Sequence, residues 1–181
     1  MTRAVVLVEG VSDQGALVTL ATRYGRDLEA EGVSVVPIGG AHAVGPHLER
    51  YGPRGLDLKL AGLCDVGEEG TFRRGLERGG FGADLTRDRM EQLGFYVCVN
   101  DLEDELVRAL GSAAVRDVIE AQGELGPFQT FQKQPAKRAL GLDEQLWRFM
   151  WNRKIRYAPL LVDALDLDRV PRPLDAVLAR V

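Results

Sequence analysis

The stretch VVLVEGVSD, residues 5–13, is an apolar run that ends on a carboxylate and a glycine, with a second carboxylate four positions later. Residues Ala4 to Val8 are apolar at every position and rich in β-branched side chains, which is typical of a strand buried on both faces of a parallel sheet. Gly10 allows a tight turn, and Ser12 or Asp13 can cap the helix that follows. Glu9 is therefore predicted at the carboxyl end of a central strand, where open α/β sheets bind their ligands.

The overall composition predicts a folded protein with one main domain. The chain has 181 residues, of which 45% are hydrophobic, and nothing in the composition indicates disorder. Cys64 and Cys98 lie in apolar runs, so we expect small buried side chains and neither a disulfide nor a zinc site. The first apolar run is too short for a signal peptide or a membrane span. We expect a soluble cytoplasmic protein with no membrane partner.

Charge is distributed unevenly along the chain. The net charge is −4, but residues 1–127 carry 13 basic and 21 acidic side chains, a net of −8. Residues 128–181 carry 10 basic and 6 acidic side chains, a net of +4. An acidic amino-terminal part and a basic carboxyl-terminal part would suit a metal-dependent enzyme that acts on a polyanion. Ordinary surface charge with a chance asymmetry remains the alternative.

Apolar runs separated by helical patterns predict an α/β fold with a parallel sheet flanked by helices. The four predicted strands are Ala4 to Val8, Val33 to Ile38, Leu56 to Cys64 and Phe95 to Val99. Residues 66–94 are polar and glycine-rich, so we interpret them as an insertion that carries little core. Residues 1–127 are predicted to form the α/β core, and residues 128–181 a basic, aromatic, helical extension packed on the same domain.

Three of the predicted strands end on acidic residues: Glu9, Asp65, and Asp101 with Glu103. The carboxyl ends of parallel strands share one edge of a sheet, so these carboxylates should converge, and Asp13 can reach the same place. Close carboxylates raise one another's pKa values unless a cation compensates them, and oxygen ligands favour Mg²⁺ or Mn²⁺. Alternatively, the acids that open helices are only caps and first-turn residues.

Other kinds of site find little support in the sequence. There is no GxxxxGK[ST] phosphate loop and no GxGxxG dinucleotide motif. No serine or cysteine stands in a nucleophile elbow. His42 and His47 are interpreted as surface or loop residues, because no second pair of soft ligands accompanies them.

Several segments together resemble a known family. The VEGVSD stretch of residues 8–13, the DVGEEG stretch of residues 65–70 and the DLEDEL stretch of residues 101–106 resemble a Toprim domain, the fold shared by topoisomerases, primases and several nucleases. The region of Phe128 to Gln132 and the segment from Arg148 to Ala158 narrow the resemblance. They are similar to the Toprim half of the OLD (overcoming lysogenisation defect) family nucleases, and the similarity extends over nearly the whole chain.

The resemblance implies a function and a set of site residues. Glu9 and Asp13 would bind a metal ion beside the first strand, Asp65 would be the first aspartate of the family's DxD motif, and Asp101 with Glu103 would complete a second metal position. Glu9 and Lys154 would be catalytic, with Lys154 stabilising the charge on the scissile phosphate. The implied reaction is hydrolysis of DNA phosphodiester bonds with Mg²⁺ or Mn²⁺, by a two-metal mechanism.

The sequence departs from the family pattern at Gly67, which replaces the second aspartate of the DxD motif. Glu68 or Glu69 is a possible substitute ligand. The ATPase half of the family is not part of this sequence, so we expect either a separately encoded ATPase as a partner or a domain that works alone. The alternatives are a non-catalytic Toprim module that binds such an ATPase or nucleic acid, and a Toprim nuclease that processes RNA.

The basic segment after residue 128 is where we expect nucleic acid to bind, through phosphate contacts. The residues predicted for these contacts are Lys133, Lys137, Arg138, Arg153 and Arg156. The aromatic residues nearby are interpreted mainly as core. Trp151 and Phe149 cannot face the same side of one helix, so one of them is predicted to be partly exposed.

Overall fold

The computed structural model describes residues 1–181, and its centre is one sheet of four parallel strands. The order across the sheet is β2-β1-β3-β4, with every pair parallel. The strands are β1 (Ala4–Val8), β2 (Val33–Pro37), β3 (Lys59–Asp65) and β4 (Phe95–Cys98). The predicted α/β fold with a parallel sheet is confirmed, although β3 begins three residues later than predicted.

Helices cover both faces of this sheet. They are α1 (Val11–Arg23), α2 (Val44–Tyr51), α3 (Glu69–Gly79), α4 (Arg87–Gln92), α5 (Leu102–Leu110), α6 (Ser112–Ala121), α7 (Leu125–Gln132), α8 (Leu142–Met150), α9 (Lys154–Ala164) and α10 (Arg172–Arg180). The region of Phe128 to Gln132 lies in α7, and α9 begins at Lys154. No helix is long and apolar enough to cross a membrane.

The strands alternate their side chains between two cores. Val6 and Val8 of β1 join the larger core, with α1 and the helices from α5 onward. Val5 and Leu7 face the smaller core, with α2, α3 and α4. Because β1 is buried on both faces, its side chains are apolar at every position rather than at alternate ones.

Residues 66–94 contribute to the smaller core, so the expectation that they carry little core is wrong. Phe72, Leu76, Leu85 and Met90 are all buried there. Each of these apolar residues is surrounded in the sequence by polar residues and glycines. The sequence therefore shows no regular apolar pattern that would predict a buried helix face. The segment is the connection between β3 and β4, and it covers one face of the sheet.

The carboxyl-terminal helices dock on α1. The Cβ that a side chain would add at Gly15 would lie 3.0 Å from Pro159, so glycine permits the close approach of α1 and α9. Arg23 donates hydrogen bonds to the Val162 and Leu165 carbonyls at 2.8 and 2.6 Å, where α9 ends. These contacts place residues 128–181 on the larger core, whereas the division of the chain at residues 127/128 stays a prediction.

Candidate functional site

Five acidic side chains stand at the carboxyl edge of the sheet, and we call them the carboxylate row. The row consists of Glu9, Asp13, Asp65, Asp101 and Glu103. Because β1 pairs with β3 and β3 pairs with β4, the acids after these three strands lie side by side. The structure thus brings together the five residues that the sequence singled out as metal ligands.

Glu9 is held in place by its neighbours on both sides. Its backbone carbonyl accepts hydrogen bonds from the amides of Gly39 and Gly40 at 3.1 and 3.0 Å. Both glycines have positive φ, at 77° and 107°, so the turn after β2 needs a residue without a Cβ at each position. On the other side, Glu9 Oε1 accepts a 3.0 Å hydrogen bond from the Asp65 amide. The sheet therefore fixes the position of this carboxylate.

Negative charge at this end of the row is poorly compensated. Burial raises the pKa of Glu9, and nearby Glu68 and Asp101 raise it further, against the opposing effects of the Asp65 amide and Lys154. Burial also raises the pKa of Asp65 to about 8, with Glu9 and Asp101 adding to the effect. Carboxylates with raised pKa values favour protons or cations.

Asp13 lies in the first turn of α1, whose N-cap residue is Gly10, and belongs to the same group of charges. Its Oδ2 accepts a 2.8 Å hydrogen bond from the Gly10 amide, as expected of an acid in the first turn of a helix. Burial raises its pKa to about 7, against that hydrogen bond, and Glu103 and Glu9 raise it further. The capping role and the place in the row are therefore compatible.

At the other end of the row, Lys154 lies between two carboxylates. Its Nζ is 2.8 Å from Asp101 Oδ2 and 2.8 Å from Glu103 Oε2. Both acids are almost fully buried. Burial by itself would lower the pKa of Lys154, but Glu103 and Asp101 outweigh it and raise the pKa above its usual value. The lysine is therefore a fixed cation at neutral pH.

Trp147 on α8 completes this end of the row, and the sequence did not reveal its role. The indole Nε1 donates to both carboxylate oxygens of Asp101, at 2.9 and 3.0 Å. Asp101 also caps α5 by accepting a 2.9 Å hydrogen bond from the Asp104 amide. The one available signal was that a buried indole N–H needs an acceptor, which does not identify the acceptor.

The donor set fits a divalent cation. Glu103 Oε1 is buried and has no hydrogen-bond partner, so one ligand oxygen is free. All members of the row offer oxygen, the donor that Mg²⁺ and Mn²⁺ prefer. As the side chains are placed, no three acidic, histidine or cysteine groups surround one point at ligand distance. Asp101 and Glu103 close on Lys154 instead.

The two substitute ligands differ in where they point. Glu68 is close enough to Glu9 to raise its pKa. Glu69 instead forms an ion pair with Arg87 on α4. A Cβ added at Gly67 would meet no atom within 4 Å, so the place of the family's second aspartate is open. Of the two glutamates, Glu68 is the one beside the row.

The predicted nucleic-acid-binding residues fall into two sets. Arg153 and Arg156 both form ion pairs with Glu124, at 3.5 and 3.1 Å, and these contacts fix the start of α9 to the turn before α7. The other three, Lys133, Lys137 and Arg138, lie in the turns between α7 and α8. None of the five forms an ion pair with the row.

The aromatic residues near the carboxyl terminus are divided between buried and exposed positions, as the sequence predicted. Phe149 and Met150 are buried, whereas 53% of Trp151 is exposed, which confirms that Trp151 and Phe149 face different sides. Cys64 and Cys98 are buried and free, as expected. His42 is exposed and His47 is half-buried on α2.

Comparison with known proteins agrees with this architecture. Residues 1–66 match the model of the OLD-like TOPRIM domain, described as overcoming lysogenization defect protein-like, TOPRIM domain. The fold is similar to that of the C-terminal region of the OLD protein of Xanthomonas campestris pv. campestris, with a TM-score of 0.73 and 25% identity. That match covers 99% of this chain and 94% of the other.

A second solved structure shows the same fold. The C-terminal region of the Burkholderia pseudomallei OLD protein matches with a TM-score of 0.76 and 23% identity, over 99% of this chain and 96% of the other. No curated protein sequence matches this chain. The first 66 residues are thus similar to an OLD-like TOPRIM domain, and the whole chain has the Toprim-like fold of the C-terminal regions of OLD proteins.

Proposed function

We propose that this chain is a metal-dependent endonuclease that hydrolyses DNA phosphodiester bonds. The OLD-like Toprim match is consistent with a nuclease family. The observation that carries the proposal is the carboxylate row, which stands on neighbouring parallel strands with Lys154 at one end. An acidic site with one fixed lysine suits cations and a phosphate group together, because the phosphate is bound through the cations.

The two ends of the row would hold the cations. Glu9, Asp13 and Asp65 supply three carboxylates at one end, and Asp101 and Glu103 supply two more at the other. When bound, Mg²⁺ or Mn²⁺ would lower the pKa of a water molecule and neutralise the leaving oxygen. The chain itself orients these groups, since the sheet fixes Glu9 and the α5 cap fixes Asp101.

Lys154 acts as an electrostatic group. Its raised pKa keeps the ammonium protonated at neutral pH, so it cannot take a proton from water there. A fixed positive charge next to the row can stabilise the extra negative charge of a pentacoordinate phosphate. Its side chain is 26% exposed, so a phosphate can reach it from solvent.

Gly67 leaves one carboxylate fewer than in the family pattern. Glu68, beside Glu9, is the nearest acid that could replace it. A water molecule can also complete the coordination shell, because Mg²⁺ usually keeps several waters. We therefore propose that the end of the row near Glu9 binds its ion with a partly hydrated shell.

A plasmid-nicking assay tests the proposal. Supercoiled DNA is incubated with the wild type, Glu9→Ala or Lys154→Ala, each with Mg²⁺, Mn²⁺ or EDTA. Lys59→Ala is the matched lysine control, because Lys59 is exposed at the opposite end of β3. We expect metal-dependent nicking by the wild type and the control, and its loss in both site variants. Equal background nicking in all four proteins would contradict the proposal.

A second candidate function rests on Gly67 alone. If the missing carboxylate prevents metal binding, the chain is a non-catalytic module that binds nucleic acid or a separately encoded ATPase. Isothermal calorimetry with Mg²⁺ and Mn²⁺ separates the two candidates, because only the nuclease needs to bind these ions in the millimolar range. Competition between DNA and RNA in the nicking assay tests whether RNA is the better substrate.

A further inference from the structure

Two large apolar side chains are exposed next to the carboxylate row. Trp151 is 53% exposed and Ile155 is 68% exposed, although both are residues that usually avoid water. Trp151 lies in the short 3-10 turn before α9 and Ile155 in the first turn of α9, one on each side of Lys154 in the sequence. Adjacent exposed apolar side chains of this size commonly mark a binding surface.

The ring of Trp151 is held in a fixed position. It packs against Trp147 with an interplanar angle of 85° and 5.2 Å between ring centroids. Lys154 Nζ lies 4.7 Å from the centre of the Trp151 ring. The same Nζ is 2.8 Å from both Asp101 and Glu103, so a single lysine joins the exposed indole to the row.

The surface around Trp151 is cationic as well as aromatic. A shallow cleft of about 490 Å³ is lined by Trp151, Asn152, Arg153, Lys154, Ile155 and Arg156. Arg153 and Arg156 share the single carboxylate of Glu124, so their pairing leaves net positive charge. An aromatic face surrounded by cations is the combination that binds single-stranded nucleic acid, by stacking on bases and attracting phosphates.

We propose that Trp151 and Ile155 form a stacking surface for an unpaired base of the DNA strand that enters the carboxylate row. This inference rests on the proposed function and names its substrate class, which is DNA with a single-stranded segment beside the bond that is cut. In a duplex both faces of each base are covered by neighbours, so an intact duplex has no base to offer to Trp151. Frayed, gapped or flapped DNA exposes such an unpaired base.

Binding measured without cleavage tests this inference. The full chain is titrated, in EDTA and at one fixed salt concentration, into a labelled oligothymidylate of about 12 nucleotides. A blunt duplex of the same length is titrated in parallel. The variants are Trp151→Ala, Trp151→Phe and Ile155→Ala, with Leu56→Ala as the control because Leu56 is 61% exposed and lies between α2 and β3.

We expect Trp151→Ala to bind the single strand about 5- to 150-fold more weakly, which corresponds to about 1–3 kcal/mol of stacking. Duplex binding should change less than twofold. Trp151→Phe should recover most of the affinity because it keeps an aromatic face, and Leu56→Ala should bind like the wild type. Circular dichroism melting checks that each variant is folded.

Two results would overturn the inference. One is unchanged affinity of Trp151→Ala for the single strand, including the case in which no protein binds it. The other is an equal loss for single strand and duplex, which would mean that Trp151 contributes no base contact. A third result separates this inference from the proposed function. If the wild type binds the single strand through Trp151 but does not nick plasmid DNA, the stacking surface is supported and only the nuclease proposal is contradicted.

Discussion

The two ends of the carboxylate row balance their charge in different ways. At one end, Lys154 lies between Asp101 and Glu103 and compensates part of their charge, and Trp147 adds two hydrogen bonds, although burial still raises the pKa of Glu103. At the other end, Glu9 and Asp65 have only one backbone amide between them, and the pKa of each is raised. The first end has a cation from within the chain, whereas the second has no ion-pair partner and favours protons or cations from solution.

This difference bears on how a group of close carboxylates can be part of a stable fold. Close carboxylates destabilise a fold when nothing compensates them. The internal lysine reduces that cost where burial is deepest, at Glu103. The carboxylates at the half-buried end have no such partner, so they favour protons or cations. The following predictions test the contrast, from the largest expected effect to the smallest.

Removing the internal cation should have the largest effect on stability. In Lys154→Met, two buried carboxylates lose their partner, which typically costs about 3–5 kcal/mol. We expect a lower free energy of unfolding in urea, measured in EDTA. Arg87→Met is the control, because it breaks the more exposed ion pair with Glu69 and should cost about 1 kcal/mol or less. An equal decrease in the free energy of unfolding in the two variants would mean that Lys154 contributes no more than an exposed ion pair.

A bound divalent cation should raise the free energy of unfolding through the end of the row that contains Glu9. An ion present at 100 times its dissociation constant adds about 2.7 kcal/mol to the free energy of unfolding. For a domain of this size that is a rise in Tm of about 5–11 °C. We expect this shift with Mg²⁺ or Mn²⁺, its reversal by EDTA and its loss in Glu9→Gln. A Tm that does not respond to millimolar metal would contradict the account of this end.

Loss of the indole hydrogen bonds should have a smaller effect. Trp147→Phe keeps an aromatic ring but leaves Asp101 without its side-chain donor from α8. Hydrogen bonds to charged groups contribute about 1.5–3 kcal/mol. Urea denaturation should show a loss in this range for Trp147→Phe and little change for Trp151→Phe, which alters an exposed ring. If the two variants are equally stable, the hydrogen bonds to Asp101 contribute nothing measurable.

The effect of pH in the presence of EDTA is gradual, and it is the smallest of the four when it is counted per pH unit and per proton. Folding raises the pKa of Asp13 to about 7 and that of Asp65 to about 8, from 3.8. A raised carboxylate pKa gives stability that is complete below the unfolded value and is lost as pH rises through the folded value. We therefore expect stability to fall as pH rises from about 4, near the unfolded value, to about 8, by up to about 1.4 kcal/mol per pH unit for each proton that only the folded chain still holds.

The pH experiment has its own control. Asp13→Asn together with Asp65→Asn should flatten the pH dependence, because the two groups that release protons are gone. Saturating Mg²⁺ should flatten it as well in the wild type, since a bound cation favours the charged carboxylates. A profile that keeps its slope in the double variant would assign the titration to other groups.

Most of the row was predictable from sequence, and the contacts that complete it were not. Glu9, Asp65 and Asp101 each follow an apolar run, and the geometry of parallel sheets fixes where such residues meet. The bond between Trp147 and Asp101 joins residues 46 positions apart and depends on how α8 is rotated against α5, which no local pattern shows. The pairing of Arg156 with Glu124 depends on helix packing in the same way.

The central claim is most directly tested by the initial rate of Mn²⁺-dependent DNA nicking in Glu9→Gln compared with Glu91→Gln. Both substitutions remove one carboxylate charge with little change in shape, but Glu91 pairs with Arg172 on the surface, outside the row. We predict a rate at least about 100-fold lower for Glu9→Gln, since even residues outside the ligand shell contribute 10- to 100-fold. The rate of Glu91→Gln should equal that of the wild type. Equal rates for the two variants would contradict the assignment of catalysis to the carboxylate row.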